Sequence, residues 1–332
     1  MPARYYDREV NIYGGIQLFA GTACPDLANE IAQYLKLPLN GRDVIHFPND
    51  NLFVKLHKSV RGQDVYVIQT TNSPVHRNLM ELLIMLQTLR LDSAGRVTAV
   101  VPYLCYARSD KKDKPRVPIT ARLIADMIEI AGADRYMTMD MHAGQIQGFF
   151  SIPGDVLTAY HLLKDRLFQL LPKMKDPVVL TVDLGFAKKG RNLAAELGVP
   201  IAFIEKRRRT KTNAAQALSL IGDTNDRDVI IVDDEVDTGG SMAEAAMVAQ
   251  ENGAREIFSV FVHPVFSGPA IEKLATSPIT HLITTNTVPI APEGIKTLSK
   301  KRKVDILDIS PLLGEVIRRA HEGRSVGEMF DE

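Results

Sequence analysis

An α/β fold in two tandem domains, each a mainly parallel sheet flanked by helices, is what the sequence predicts, and three observations predict it. Short apolar runs alternate with longer amphipathic ones along the chain, the pattern of right-handed βαβ units. The same rhythm occurs in both halves. The 332 residues suit two domains at roughly 100–200 residues each.

In the first half, Gln17–Ala20 reads as a strand ending at Gly21-Thr22, and Pro25 to Leu35 as a helix with Leu27, Ile31 and Leu35 on one face. Val65–Gln69 is a strand and Asn78–Leu91 a strongly apolar helix. Val97–Pro102, rich in valine, is a fully buried strand. Ile119–Ala131 is a helix closed by Gly132, and Arg135–Asp140 leads into a polar turn carrying His142. In the second half the strands are Val178–Val182, Ile201–Glu205, Val229–Val232, Ile257–Val262 and His281–Thr285. Helices fall at Lys189–Leu197, before Gly198, and at Met242–Gln250. The break lies near Pro153–Leu163, which divides the chain into residues 1–158 and 159–332.

Composition excludes several classes. Hydrophobic residues at 45% and charged residues at 24% are those of an ordinary globular chain. Forty basic residues balance forty acidic ones, so neither nucleic acid nor an anionic membrane is a bulk partner. Cys24 and Cys105 lack C-x-x-C spacing, which argues for buried thiols over a disulfide framework or a zinc site. Met1 to Val10 is too charged for a signal peptide, and no apolar stretch approaches the roughly 20 residues of a membrane span. A cytoplasmic enzyme is expected.

The densest signal runs from Asp228 to Ser241. A buried strand delivers Asp233 and Asp234 to its C-terminal end, where open α/β sheets bind ligands. Asp237-Thr238-Gly239-Gly240-Ser241 then enters a helix. Glycines admit a ligand close to the backbone, and first-turn amides bind a phosphate. Carboxylates beside such a cup accept hydrogen bonds from sugar hydroxyls. The loop therefore suits a sugar with hydroxyls at one end and phosphate at the other. It is not a P-loop, and none occurs elsewhere.

This segment resembles the phosphoribosyl-diphosphate signature shared by phosphoribosyltransferases and ribose-phosphate pyrophosphokinases. Two halves of one rhythm favour the second family. Further blocks resemble it, among them 18–22, 59–62, 78–83, Tyr106 to Asp113, Met139 to Phe150, Phe266 to Pro269 and Glu315 to Arg319. The resemblance implies two phosphoribosyltransferase-like domains. The first carries the ATP side and oligomer contacts, the second the ribose 5-phosphate loop, and the last helix packs back on the first.

The implied reaction moves the β,γ-diphosphate of Mg-ATP to the anomeric hydroxyl of ribose 5-phosphate, giving AMP and phosphoribosyl diphosphate. Lys206, Arg208 and His142 are then the catalytic residues. The basic run Lys206–Arg209 would otherwise read as a solvated face. Phe47, Asn49, Arg108, Asp110 and His142 match ATP positions, with Asp155 a weaker candidate. Asp183, Asp233, Asp234, Asp237, Thr238, Gly239, Gly240 and Ser241 match ribose 5-phosphate positions. His142, beside Asp140, and Asp183 are the expected Mg²⁺ ligands. Ser59, Arg61 and Arg116 match an allosteric phosphate and ADP site, with inorganic phosphate as activator. A homohexamer built from dimers is implied, Phe47 reaching a neighbouring chain's site.

The sequence departs from the family pattern at Asn51, usually glutamate, and at Ser109, usually glutamine, which implies altered nucleotide preference or weaker ATP binding. Phe186 replaces a glycine near Asp183, and Gly144 stands where many relatives have serine. A non-catalytic regulatory subunit is the alternative within the family. Such a subunit should have lost the loop cations or the ribose acids, and this chain keeps both.

Overall fold

The computed structural model describes residues 12–182, 185–207 and 217–329. The chain divides into two compact units, one running to Leu157 and taking in the stretch from Ile309, the other Thr158–Asp308.

The first unit begins with β1 (Ile16–Ala20) and α1 (Pro25–Leu35). Proline at the first helical position suits α1, since its missing N–H has no partner there. Leu27, Ala28, Ile31 and Ala32 bury its inner face. An antiparallel hairpin follows, β2 (Arg42–His46) and β3 (Leu52–Leu56). Next come β4 (Asp64–Ile68), α2 (Val75–Leu91), β5 (Arg96–Val101), α3 (Thr120–Ile130), β6 (Arg135–Met139) and β7 (Gly154–Leu157). The sheet order is β1-β4-β5-β6-β7, every pair parallel. Its core gathers Phe19, Val67, Leu82, Leu86, Val97, Ile124 and Ile146. Valine-rich β5 is buried over all but its first residue.

The second unit holds α4 (Tyr160–Leu170), β8 (Val178–Thr181), α5 (Ala187–Leu197), β9 (Ile201–Arg207) and β10 (Ala217–Ile221). It continues through β11 (Asp228–Glu235), α6 (Gly240–Glu251), β12 (Glu256–His263), α7 (Ala270–Thr276), β13 (His281–Thr285), α8 (Pro292–Leu298) and β14 (Lys303–Leu307). Gly198, left-handed at φ 68°, closes α5. The sheet order is β10-β9-β8-β11-β12-β13-β14, parallel except for β10 against β9.

The last helix, α9 (Ser310–Glu322), belongs to the first unit and lies against α1. A Cβ built on Gly314 would fall 2.4 Å from Cδ1 of Tyr34, so this crossing needs glycine. A buried polar network ties α9 to the sheet. Asp64 accepts two bonds from Arg96 (2.7 and 2.6 Å) and one from the Tyr66 hydroxyl (2.9 Å), and meets His321 Nδ1 at 2.8 Å. Arg96 also donates to the Ala320 carbonyl at 3.2 Å. Among the described residues no helix is long and apolar enough to cross a membrane.

Candidate active site

In the second unit the chain leaves β8 for β9 on one side and returns to β11 on the other. Such a reversal opens a crevice at the carboxyl ends of the two strands, where open α/β sheets bind ligands. β8 ends at Thr181, opposite Val232, while β11 continues along β12 as far as Glu235 opposite His263. Asp233, Asp234 and Glu235 therefore extend beyond β8.

The strand was expected to stop at Val232, with both aspartates at its end. Its extension turns Asp233 and Asp234 to opposite faces, because strand side chains alternate. Asp234 is 7% exposed, and its Oδ1 accepts from the Glu235 amide at 2.9 Å. Asp233, half-buried, accepts from the Asp234 amide at 3.0 Å.

The loop beyond is tightly held. The Val236 amide donates to the His263 carbonyl, and the amides of Phe266 and Ser267 donate to the carbonyls of Val236 and Asp237, at 3.0, 3.0 and 2.9 Å. Gly239 adopts φ +73°, and a Cβ there would lie 3.2 Å from the Ala270 carbonyl oxygen. Gly240 opens α6, and the first in-helix bond runs from Ala243 N–H to the Gly239 carbonyl at 3.0 Å. Helix geometry gives the earlier amides of that turn no acceptor within the helix. Thr238 is exposed and Ser241 lies in the first turn.

Lys206 lies in β9, its backbone opposite Leu218 of β10, although the sequence placed it in a loop after the strand. Pairing with β10 is what prolongs β9. Arg208 and Asp183 lie outside the described residues. Phe186, the departure beside Asp183, precedes α5 and has the Lys189 ammonium 5.4 Å from its ring centroid.

In the first unit, the β5–α3 and β6–β7 connections leave the carboxyl ends of adjacent parallel strands. The first carries Arg108, exposed, and Asp110, 6% exposed; the second carries exposed His142. The Gln145 carboxamide donates to Asp110 Oδ2 and so joins the two connections. Asp140 sits at φ +37° with its amide on the Leu157 carbonyl (2.9 Å), and Tyr106 sits at φ +60°. Non-glycine residues in this region are uncommon and collect at functional sites. The Ser109 hydroxyl accepts from the Thr120 amide at 3.2 Å, satisfying one of the open amides at the start of α3.

Phe47, 46% exposed, and Asn49 sit at the turn of the β2–β3 hairpin. Asn49 Oδ1 accepts from the amide of Asn51 at 3.2 Å. Arg77 of α2 holds the hairpin through His46 at 2.6 Å. Asp155 is paired with Arg135 at 2.9 Å. Ser59 and Arg61 precede β4, at the amino ends of the strands, whereas Arg116 belongs to the connection leaving their carboxyl ends. Within one chain these three enter from opposite ends of the sheet.

Cys24 and Cys105 are buried free thiols, as the sequence suggests. Two residues that sequence reasoning passed over belong to these sites. His263 is the last residue of β12, 3% exposed, with Nδ1 at 3.0 Å from the Thr287 hydroxyl and its carbonyl under the 236–241 loop. Its signal was a polar residue closing an apolar strand beside the aspartate-bearing one. Gln145 lies in the Met139 to Phe150 block, but nothing local singles it out from the rest of that block. Among the described residues, no group of three or more His, Cys, Asp and Glu is gathered for a metal ion.

Residues 16–132 match a family model described as the N-terminal domain of ribose phosphate pyrophosphokinase, and residues 203–331 one described as the phosphoribosyl synthetase-associated domain. The chain is 41% identical over 316 residues to the ribose-phosphate pyrophosphokinase of Wolinella succinogenes, covering 95% of this chain and 99% of that one. It is 44% identical over 317 residues to that of Shewanella oneidensis, covering 95% and 98%. The crystal structure of phosphoribosylpyrophosphate synthetase from Mycobacterium smegmatis matches with a TM-score of 0.87 at 38% identity, over 93% of this chain and 99% of that chain.

Proposed function

The chain belongs to the ribose-phosphate pyrophosphokinase family, and we propose on that premise how its residues divide the work of diphosphate transfer. The reaction carries the β,γ-diphosphate of ATP to the anomeric hydroxyl of ribose 5-phosphate. The observation that carries the assignment is the reversal at β8, with β11 outrunning it into an Asp-Thr-Gly-Gly-Ser loop at the start of α6.

Ribose 5-phosphate is assigned to this loop. Its phosphate takes the first-turn amides of α6 with Thr238 and Ser241, where aligned N–H groups favour an anion. Asp233 and Asp237 accept the ribose hydroxyls. Asp234 braces the strand instead, being buried and bonded to the Glu235 amide.

ATP is assigned to Arg108 and His142, on neighbouring connections of the first unit. Phe47 and Asn49 of a second chain supply the base contacts. The exposed Ile45, Phe47 and Phe53 of the hairpin support that role, within a homohexamer built from dimers. A regulatory anion site using Ser59, Arg61 and Arg116 together likewise needs more than one chain. A cytoplasmic location is part of this reading, and no helix among the described residues is long and apolar enough to cross a membrane.

Attack of the anomeric oxygen on the β-phosphorus loads negative charge onto the transferring diphosphate and the departing AMP. Lys206 and Arg208 are assigned to that charge, because phosphoryl-type transfer is mostly positioning and electrostatics. Mg²⁺ usually binds through one or two carboxylates plus phosphates and water. Asp183, outside the described residues, is the carboxylate assigned to it, with exposed His142 as a second protein group. The ion would neutralise phosphate charge.

The test is AMP formation from Mg-ATP with and without ribose 5-phosphate. Ribose-dependent AMP with matching phosphoribosyl diphosphate, lost on Lys206→Ala, supports the assignment. Full activity in Lys206→Ala overturns it for that residue.

A further inference from the structure

We propose that Gln145 is a positioning residue for ATP, clamping the His142 connection to the Arg108 connection through Asp110. The proposal rests on the assignment of ATP to Arg108 and His142.

Asp110 matches an ATP position by sequence, yet its side chain is 6% exposed and its Oδ2 accepts from Gln145 Nε2. A carboxylate only accepts, so the amide nitrogen of Gln145 must face it. A buried carboxylate also needs its donors, because charge left short of them is costly. Asp110 is thus used up inside the protein, as an anchor.

The segment carrying His142 is pinned on both sides. Before it, the amide of Asp140 holds the Leu157 carbonyl at 2.9 Å with φ at +37°. After it, Ile146 is fully buried in the core. Between these pins Met141 is buried in the same core and Ala143 packs against it, His142 and Gln145 are exposed, and Gln145 adds a sideways tie to Asp110.

The Arg108 connection is held equally firmly. The Cys105 amide donates to the Thr71 hydroxyl at 2.7 Å, and the Ser109 carbonyl accepts from the Ala121 amide at 3.1 Å. Asp110 follows Ser109 directly. The Asp110–Gln145 bond therefore sets how far the Arg108 guanidinium stands from the His142 imidazole, two groups that must meet one triphosphate. Small misplacements of such groups cost large factors in rate.

The experiment reverses the polarity of the bond without changing its shape. Gln145→Glu sets two carboxylates together and is expected to raise KM for Mg-ATP, or lower kcat, by about tenfold, the scale of a lost bond to a charged group. KM for ribose 5-phosphate should stay within about twofold, while Tm should fall, because buried Asp110 loses its donor and meets a like charge. Asp110→Asn combined with Gln145→Glu restores a donor facing a carboxylate and should recover most of the loss.

Three outcomes overturn the clamp: Gln145→Glu without effect on ATP use, an equal rise in KM for ribose 5-phosphate, or no recovery in the double variant. Arg108→Ala and His142→Ala, assayed alongside, separate it from its premise. If neither changes ATP use, the ATP assignment itself falls. If both do and Gln145→Glu does not, the clamp alone falls.

Discussion

Gly239→Ala is the sharpest probe of the loop that opens α6, with Gly240→Ala as its control. Gly239 sits at φ +73°, a conformation that costs an L-residue about 1–2 kcal/mol. The added Cβ would also lie 3.2 Å from the Ala270 oxygen and 3.3 Å from its Cα. Neither can retreat easily, because Ala270 starts α7 and its amide is bonded to Ser267. Gly240 differs: its φ is not positive and the nearest atoms to a built Cβ are 3.8 Å away. A loss of about 1–2 kcal/mol corresponds to roughly 2–8 °C in Tm for a domain of about 150–250 residues. If the loop relaxes instead of holding the strain, the same energy appears as about a five- to thirtyfold rise in KM for ribose 5-phosphate. Calorimetry and initial rates together capture both routes. Gly239→Ala matching Gly240→Ala in Tm and in KM would refute the reasoning.

Other consequences are equally direct. Burial pushes the Cys24 thiol up to about 12 and the Cys105 thiol to about 11; both should resist a thiol reagent at about pH 8 until denaturant is added, since the thiolate is the nucleophile. Burial first, then Lys303, holds His281 below its ordinary value of 6.5. The folded state therefore binds this proton less readily than the unfolded chain, and stability should be lost as pH falls below about 6.5. Tm measured between about pH 7.5 and 5.5 should fall less steeply in His281→Phe, which keeps the stacking on Phe258; an unchanged slope refutes the assignment. Gly314→Ala gains about 1 kcal/mol of helix propensity against an overpacking cost of about 1–3 kcal/mol. The Tyr34 ring is held by its hydroxyl, at 3.2 Å from both Glu315 and Arg318, so net destabilisation in denaturant melts is expected, partly relieved by Tyr34→Ala.

Much of the sheet was legible because apolar, β-branched runs ended at glycine or at acidic turns. β5, β8 and β13 fall within about a residue or two of the expected bounds. What escaped were strands defined by their neighbours. Asp233, Asp234 and Glu235 look like a loop, yet β12 pairs them onward from Val232. Lys206 and Arg207 look like a basic turn, yet β10 captures their backbone. The β2–β3 hairpin leaves Asp43, Ile45 and His46 exposed, so no buried face imposes an alternation. In the sites, the Gly-Gly loop was legible because its chemistry is local. The partnership of Asp110 with Gln145 joins residues thirty-five apart, and nothing in either neighbourhood announces it.

The two halves share a rhythm but differ where ligand chemistry depends on topology. In the second unit β8 is an interior strand, and the chain departs and returns on its two sides. Among the described residues β1 is the edge strand of the first unit's sheet, with the bridge Leu18–Leu39 beyond it. The order then runs one way, without a reversal to open a crevice at β1. Its loops are also closed by the protein's own side chains. Glu81, fully buried, accepts from the Thr22 amide at 2.6 Å and its hydroxyl at 2.5 Å, and Gln69 accepts from the Ala23 amide at 3.0 Å. The amides leading into α1 are thereby satisfied internally, and a carboxylate already stands where a bound anion would have to come. At the β1–α1 turn, Glu81 therefore takes the amide that an anion would otherwise meet. Glycine-rich entry to a helix at a strand reversal is met in the second unit alone among the described residues, which is why the sugar phosphate is assigned there.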